Sequence, residues 1–452
     1  MLEPHIWPDT ARDIDGNLEL GGCLVRDLVR TYGTPLYILD RATVAATAQA
    51  YQAALAAHYP APAQIHYASK ALLNTGVARL MHHLGLGLDC VSLGEVAVAR
   101  RAGVDASHIH LHGNAKPSAE LRQALAWGVG RIVVDNLDEL HALGQLTVGQ
   151  ASPSPIWLRL NPGVDVHTHA HIQTGQLDSK FGLPIDTGMA RAALELAQAT
   201  PGIEVVGLHA HLGSQLSDAQ AMRRGVARLM EFAAQMRQEL GIVFTEFSPG
   251  GGLAVAYRAA DPLLDIAHYV AALCDELQQQ CQRWDYPLPR LVLEPGRSMI
   301  ARAVVGVYEV VSIKQIEGVR TYVAVDGGMG DNIRPALYQA HYTVRRADAS
   351  PPGATLPVTI AGRYCESGDI LARDVALPPL LPGALLAFAQ AGAYTLSMAS
   401  NYNLVPRPAL VLVENGGSRL LQRRETLDDL VARDVEEDDL HTRAAPETQA
   451  TI

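Results

Sequence analysis

Between residues 41 and 297, short aliphatic or β-branched runs alternate with amphipathic stretches of about 10 to 20 residues, the pattern of parallel βα units. After a leading helix over 41–57, the runs fall at 64–68, 86–91, 108–111, 131–134, 156–160, 204–209, 243–247 and 290–293. Eight strands, each adjoined by a helix, predict an α/β chain built on a closed (β/α)8 TIM barrel of about 250 residues. A doubly wound open sheet is the competing arrangement.

A barrel gathers its chemistry at the carboxyl ends of its strands. In chain order those ends carry Lys70; Asp89 with Ser92 and Glu95; His112 with Asn114; Asp135; Arg159; His209 with His211; the run Gly250-Gly251-Gly252; and Glu294 with Arg297. Nearness to solvent accounts for any one of them, Asn114 or Asp135 for instance. It does not account for polar residues at nearly every end.

Several ends have defined physical uses. Lys70 closes the short strand of His66-Tyr67-Ala68, and a desolvated lysine amine is a nucleophile for a carbonyl. A lysine at a strand end is more often simply solvated, so its meaning depends on its neighbours. Ser248-Pro249-Gly250-Gly251-Gly252 follows the seventh strand, where three glycines let backbone N–H groups converge on a phosphate. Glu294, in Leu-Glu-Pro-Gly-Arg, is placed to keep a pyridine nitrogen protonated and make the ring an electron sink. His211, in His209-Ala210-His211-Leu212-Gly213-Ser214-Gln215, can lie against a planar ring, with Ser214 free to bind phosphate; His209 is read equally well as a core residue. Lysine, phosphate cradle, ring-facing histidine and pyridinium carboxylate together specify pyridoxal 5'-phosphate better than any one does.

Past Arg297 the helical period fades, and runs at 303–313, 321–325, 356–360 and 384–389 read as strands between Gly and Pro turns. The expected division is a barrel over 39–300 and a β domain over 301–431. Residues 1–38, with a helix near 24–32 and a strand at 36–39, return to the β domain. The acidic stretch from 432 to 452 reads as a frayed tail. The β domain also carries polar clusters that a purely structural unit does not need: Asp326-Gly327-Gly328, Asp331-Asn332-Ile333-Arg334-Pro335-Ala336-Leu337-Tyr338, Tyr364-Cys365-Glu366-Ser367-Gly368-Asp369, and Gly392-Ala393-Tyr394. Cys365 beside Glu366 offers a thiol proton and a carboxylate to one substrate.

A formal net charge of -11 argues against nucleic acid or an anionic membrane as partner, so small anions must be held by local arginines and amides. No span reaches the roughly 20 apolar residues of a membrane helix, and the first residues do not read as a secretory signal. Five cysteines, without a CxxC pair, fit free thiols in a reducing, cytoplasmic setting.

These motifs resemble the diaminopimelate decarboxylases, in the alanine-racemase-like class of pyridoxal phosphate enzymes. The resemblance runs from Gly33-Thr34-Pro35-Leu36-Tyr37 to Tyr402-Asn403-Leu404-Val405-Pro406-Arg407-Pro408 and includes Leu86-Gly87-Leu88-Asp89-Cys90-Val91-Ser92 and Ser179-Lys180-Phe181-Gly182. By position it implies that Lys70 bonds the cofactor, His211 stacks on its ring and Glu294 pairs with its nitrogen. Asp89 falls among the cofactor residues. Ser214, Gly250, Gly251, Gly252 and Tyr394 hold the phosphate. Arg297, Arg334 and Tyr338 clamp the substrate's far carboxylate, with Tyr394 beside them, while Glu366 reads the far ammonium and Cys365 donates the proton that replaces carbon dioxide. Cys365 and Glu366 serve a partner subunit's site, which implies a homodimer with shared active sites acting on a small amino acid. Leu72 and Leu93 depart from the family's usual Asn and Gly, at positions outside the chemistry.

Ornithine, arginine or lysine decarboxylation is the nearest alternative, but two distal arginines would face a substrate end with no carboxylate, at a desolvation cost of several kcal/mol if buried. The implied reaction is therefore meso-2,6-diaminopimelate to L-lysine and carbon dioxide. Two rivals come from other classes. His108-Ile109-His110-Leu111-His112, His167-Thr168-His169-Ala170-His171 and His209-Ala210-His211 suggest a metal-dependent barrel hydrolase, although Lys70 and Glu294 stand where that class needs His-x-His and Asp; the expectation is no metal. A non-catalytic pyridoxal phosphate binder should have lost Lys70, Glu294 or Cys365, and all three are present.

Overall fold

The computed structural model describes residues 2–164, 178–262, 265–349 and 353–435. Eight parallel strands close on themselves: β1 (Ala63–Ala68), β2 (Gly87–Cys90), β3 (Ile109–Leu111), β4 (Arg131–Val134), β5 (Ser154–Asn161), β6 (Ile203–His209), β7 (Glu246–Gly250) and β8 (Arg290–Leu293). Each pairs in parallel with the next and β8 returns to β1, so the sheet is the expected barrel and not an open one. Polar side chains in the strand-to-helix loops start the helices. Asn74, Ser92 and Asn136 accept from the amides of Val77, Glu95 and Glu139, the N-cap arrangement that satisfies otherwise orphaned donors. Ser92, at a strand end, is thus accounted for by capping, while Glu95 folds back to accept from the Val91 amide at 2.7 Å.

The seventh strand differs from the reading of 243–247. Gly241 ends the preceding helix at φ 72°, Val243 is exposed, and pairing begins only at Glu246 and continues through Gly250. The β7–β8 register shifts between Phe247 and Gly250, which is how a strand tolerates Pro249. The glycine run therefore begins inside the barrel wall instead of after it.

The barrel interior is unusually polar. His66, from β1, lies against His110, from β3, with ring centroids 3.9 Å apart, and His110 meets Trp157 edge-on at 4.5 Å. Two glycines leave the room: a Cβ on Gly87 would lie 2.6 Å from the His66 ring, and one on Gly207 would lie 2.6 Å from Trp157 Nε1. Toward the amino end of the strands, Trp157 Nε1 donates to Glu246 at 2.6 Å, and Glu246 also takes Arg131 and Arg290. Those bonds compensate a carboxylate that would be costly to bury alone.

A second, nine-stranded sheet follows. Within it Leu36–Asp40 lies antiparallel to Val304–Ile316 on one side and parallel to Ala409–Glu414 on the other. The N-terminal segment thus completes the C-terminal sheet, as the sequence led us to expect. Strands at Ile370–Leu377 and Gly417–Gln422 were not among the runs read from the sequence. Among the described residues, no helix is long and apolar enough to cross a membrane. Of the acidic tail, residues 436–452 lie outside the described residues.

Candidate active site

A cavity of about 630 Å³ opens at the carboxyl ends of the barrel strands. The barrel supplies Lys70, Asp89, His211, Ser214, Glu294 and Arg297, and the loops of the second sheet add Arg334, Tyr338 and Tyr394. Lys70 lies in one tight turn, Ser69–Ala71, directly after β1. The arrangement thus gathers residues separated by more than 300 positions in the chain.

Glu294, just past β8, is almost fully buried. Its Oε2 accepts from His209 Nε2 at 2.9 Å and its Oε1 from Ser248 Oγ at 3.0 Å, with His112 Nε2 at 3.5 Å. Burial by itself would raise its pKa, but His209 and His112 outweigh burial and hold the carboxyl well below its usual range. It stands ionised at neutral pH. His209 is pushed down to about 4, chiefly by burial, so it donates to Glu294 as a neutral imidazole. This resolves the open reading of His209: it is a buried partner of Glu294. Burial also lowers His211 well below the ordinary histidine value, with the nearby Lys70 and Arg159 charges adding to the effect, which leaves an uncharged ring facing the cavity. Asp89 is raised, by burial first and by Glu294 among its neighbours.

Asp89 Oδ1 and His112 Nε2 are buried and face each other at 3.5 Å, and His112 Nε2 lies equally far from Glu294 Oε1, so the two carboxylates share one imidazole. A narrow extension of the cavity runs between Lys70, His211, Ser214, Gly252, Gly296 and Tyr394. The glycine run is packed too tightly for side chains: a Cβ on Gly251 would lie 2.1 Å from the Glu294 carbonyl, and one on Gly252, at φ 112°, would lie 2.4 Å from the Gly213 carbonyl. Among the described residues the Gly251 and Gly252 amides have no acceptor. Gly250 and Gly251 do not line the cavity themselves; they hold the turn that presents Gly252. A lysine, an ionised carboxylate, an uncharged imidazole and free glycine amides fit pyridoxal phosphate.

At the opposite wall, Arg297 and Arg334 each donate through Nη1 to one oxygen, Tyr257 Oη, both at 2.8 Å. Arg334 also donates to Tyr342 Oη at 2.7 Å, and Arg297 gives Nε and Nη2 to Ser214 Oγ at 3.2 Å while its guanidinium lies 4.7 Å over the Tyr394 ring. Ser214 Oγ thus accepts from Arg297, which leaves its O–H as a donor. Tyr257 and Tyr342 carry no motif in the sequence that marks them as site residues; only the fold brings them to the two arginines. Cys365 and Glu366 do not reach this cavity. Both are exposed, on a loop where the Cys365 amide donates to Asn403.

His110, His112 and Glu294 offer ligand atoms within 4.8 Å of one another, and His167–His171 lie outside the described residues.

A closed parallel barrel with this donor set at its carboxyl mouth is the architecture of a pyridoxal-phosphate-dependent barrel enzyme. Residues 41–301 match the family model described as pyridoxal-dependent decarboxylase, pyridoxal binding domain. The chain is 42% identical to a diaminopimelate decarboxylase of Synechocystis, covering 93% of this chain and 90% of that one. It is 41% identical to that of Bacillus subtilis, over 93% and 95%. The solved diaminopimelate decarboxylase of M. jannaschii in complex with L-lysine superposes with a TM-score of 0.89 at 32% identity, over 96% and 99% of the two chains. The chain belongs to the diaminopimelate decarboxylase family of pyridoxal-dependent decarboxylases. The metal-hydrolase reading falls with that assignment.

Proposed function

We propose that this protein decarboxylates meso-2,6-diaminopimelate to L-lysine and carbon dioxide. The observation that carries the substrate is the pair of buried guanidiniums, Arg297 and Arg334, facing the cavity that also holds Lys70 and Glu294. A diamino acid ending in an amine would leave both cations without a counter-ion, whereas a second carboxylate takes the bidentate contacts that guanidiniums make well.

Pyridoxal phosphate, when bound, supplies the electron sink that a carboxylate-losing carbon requires. Lys70 would hold it, His211 would face its ring, and Glu294, kept ionised, would pair with its pyridine nitrogen. Ser214, Gly252 and Tyr394 surround the narrow extension and take the phosphate, with Gly250 and Gly251 setting the turn and Asp89 beside Lys70. Tyr338, Arg297 and Arg334 bind the carboxylate that is retained.

The reading assigns Cys365 as proton donor and Glu366 as reader of the far ammonium, both acting in a second copy's site. Their exposure supports this, as does the exposed apolar surface of Tyr402 and Leu404 on the adjoining segment. We accordingly propose a cytoplasmic homodimer with shared sites, and a chain divided near residues 39 and 300 with a separate tail from 432.

The test is carbon dioxide release and lysine formation from meso-diaminopimelate compared with L-lysine, L-ornithine and L-arginine, with Lys70→Ala as control. Turnover of diaminopimelate alone, lost in the variant, is expected. Turnover of another diamine instead would overturn the substrate.

A further inference from the structure

Tyr257 occupies a position in this site that the roles above do not use. It leaves the barrel just after the glycine run, is 6% exposed, and lines the cavity. Its hydroxyl is the one atom shared by Arg297, at the end of β8, and Arg334, in the short helix Arg334–Tyr338 of the second sheet's loops.

Hydrogen-bond accounting gives that hydroxyl a direction. A phenol has two acceptor sites and one donor. The two guanidiniums fill both acceptor sites at 2.8 Å. The O–H is left over, and among the described residues it finds no acceptor. A buried donor without an acceptor is costly, and its neighbourhood is cationic, so the missing partner is an anion in the cavity. The ring itself is fixed: its amide donates to Asp261 Oδ2 at 3.0 Å, its carbonyl accepts from Thr343 Oγ1 at 2.8 Å, and it meets Tyr342 edge-on at 5.4 Å. The arginines outweigh burial and lower its pKa, which strengthens the O–H as a donor.

We propose that Tyr257 is a specificity-determining residue: it sets the spacing of Arg297 and Arg334 and gives its own O–H to the carboxylate the substrate retains. The inference rests on the proposed diaminopimelate reaction and adds a residue to it. A site built to hydrogen-bond one group discriminates against ligands that lack it.

The test uses holoenzyme and two ligands that differ only in that carboxylate, L-lysine and 1,5-diaminopentane, with binding followed by the cofactor's absorbance. Tyr257→Phe is expected to weaken L-lysine about tenfold, the effect of one hydrogen bond to a charged group. Diaminopentane affinity should stay within about twofold, with cofactor content unchanged. KM for meso-diaminopimelate should rise by a similar factor with little change in kcat. Equal weakening of both ligands would mean a structural role only, and unchanged lysine affinity would remove Tyr257 from recognition; either result overturns the proposal. If the Phe variant does not load cofactor, Tyr257→His, which keeps a ring with a donor, is read by the same ratio. A wild type that turns over diaminopimelate while the ratio stays flat refutes only this inference. A wild type that does not turn it over refutes the underlying reaction and this inference together.

Discussion

His209 donates from Nε2 to Oε2 of Glu294 across 2.9 Å, with both groups nearly sealed from solvent. The pair keeps a carboxylate charged in a place that would otherwise neutralise it, and a charged carboxylate is what a protonated pyridine nitrogen needs. Glu294→Gln keeps the shape and removes the charge. The expected result is a fall in kcat of about 10²-fold or more, the scale of losing one preorganised electrostatic partner. Cofactor stoichiometry, read by absorbance, should hold; loss of cofactor in proportion to activity would make Glu294 a binding residue and no more.

Acid should destabilise this barrel through its interior. Burial pushes His66 down to about 3 and His209 to about 4, both below the ordinary 6.5. The unfolded chain therefore binds more protons than the folded one between those values and pH 6.5, and stability falls as pH drops through that window. Each such histidine contributes a slope of up to about 1.4 kcal/mol per pH unit. Replacing His66 with Leu should flatten the slope between pH 6.5 and 4.5 by about that amount. Urea midpoints across the range measure it, and an unchanged slope would mean the ring is not buried in neutral form.

Asp369 ties together two loops with different duties. Its Oδ1 accepts from the Met329 amide at 2.6 Å and its Oδ2 from the Tyr364 amide at 2.9 Å, so one carboxylate braces the segment leading to Arg334 and the segment bearing Cys365. Asp369→Ala strands two amides and is expected to cost about 2–4 kcal/mol. Its mark should be a lower thermal midpoint together with a raised KM for diaminopimelate. Loss of stability with KM untouched would limit the brace to the fold.

Shared sites predict complementation. Lys70→Ala and Cys365→Ala are each expected to be inactive alone. Mixed in equal amounts and allowed to exchange subunits, they should recover roughly a quarter of wild-type activity, since half the dimers are mixed and each of those holds one intact site. No recovery after proven exchange would place Cys365 in its own chain's chemistry or outside it.

Residues with a periodic or positional mark were readable in the sequence. Lys70 and Glu294 were legible because they end strands whose apolar period is plain, and the glycine run because no side chain explains it. Tyr257 was not, because it closes the apolar run Leu253-Ala254-Val255-Ala256 and its meaning comes from two arginines 40 and 77 positions away. Ser248-Pro249-Gly250 has poor strand propensity, and only pairing with β6 at Ser248 and β8 at Gly250 makes it a strand. Ile370–Leu377 places Arg and Asp amid its aliphatics and carries no clear period. The hairpin of Ala409–Glu414 and Gly417–Gln422 did have a signal: Asn415-Gly416, both at positive φ, is a tight-turn pair between two strands.

The rings and charges that fill the barrel have a practical consequence. A typical barrel can be made sturdier by repacking aliphatic layers that lie well below its chemistry. Here Trp157, bonded to Glu246 at the floor of the barrel, meets His110 edge-on and lies parallel to His209 at 6.5 Å between ring centroids, and His209 packs on His112 and bonds to Glu294. The scaffold and the reactive groups draw on the same atoms, so thermostabilising changes are best sought in the outer helices and the second sheet. A mutation at the bottom of the barrel should register at its mouth.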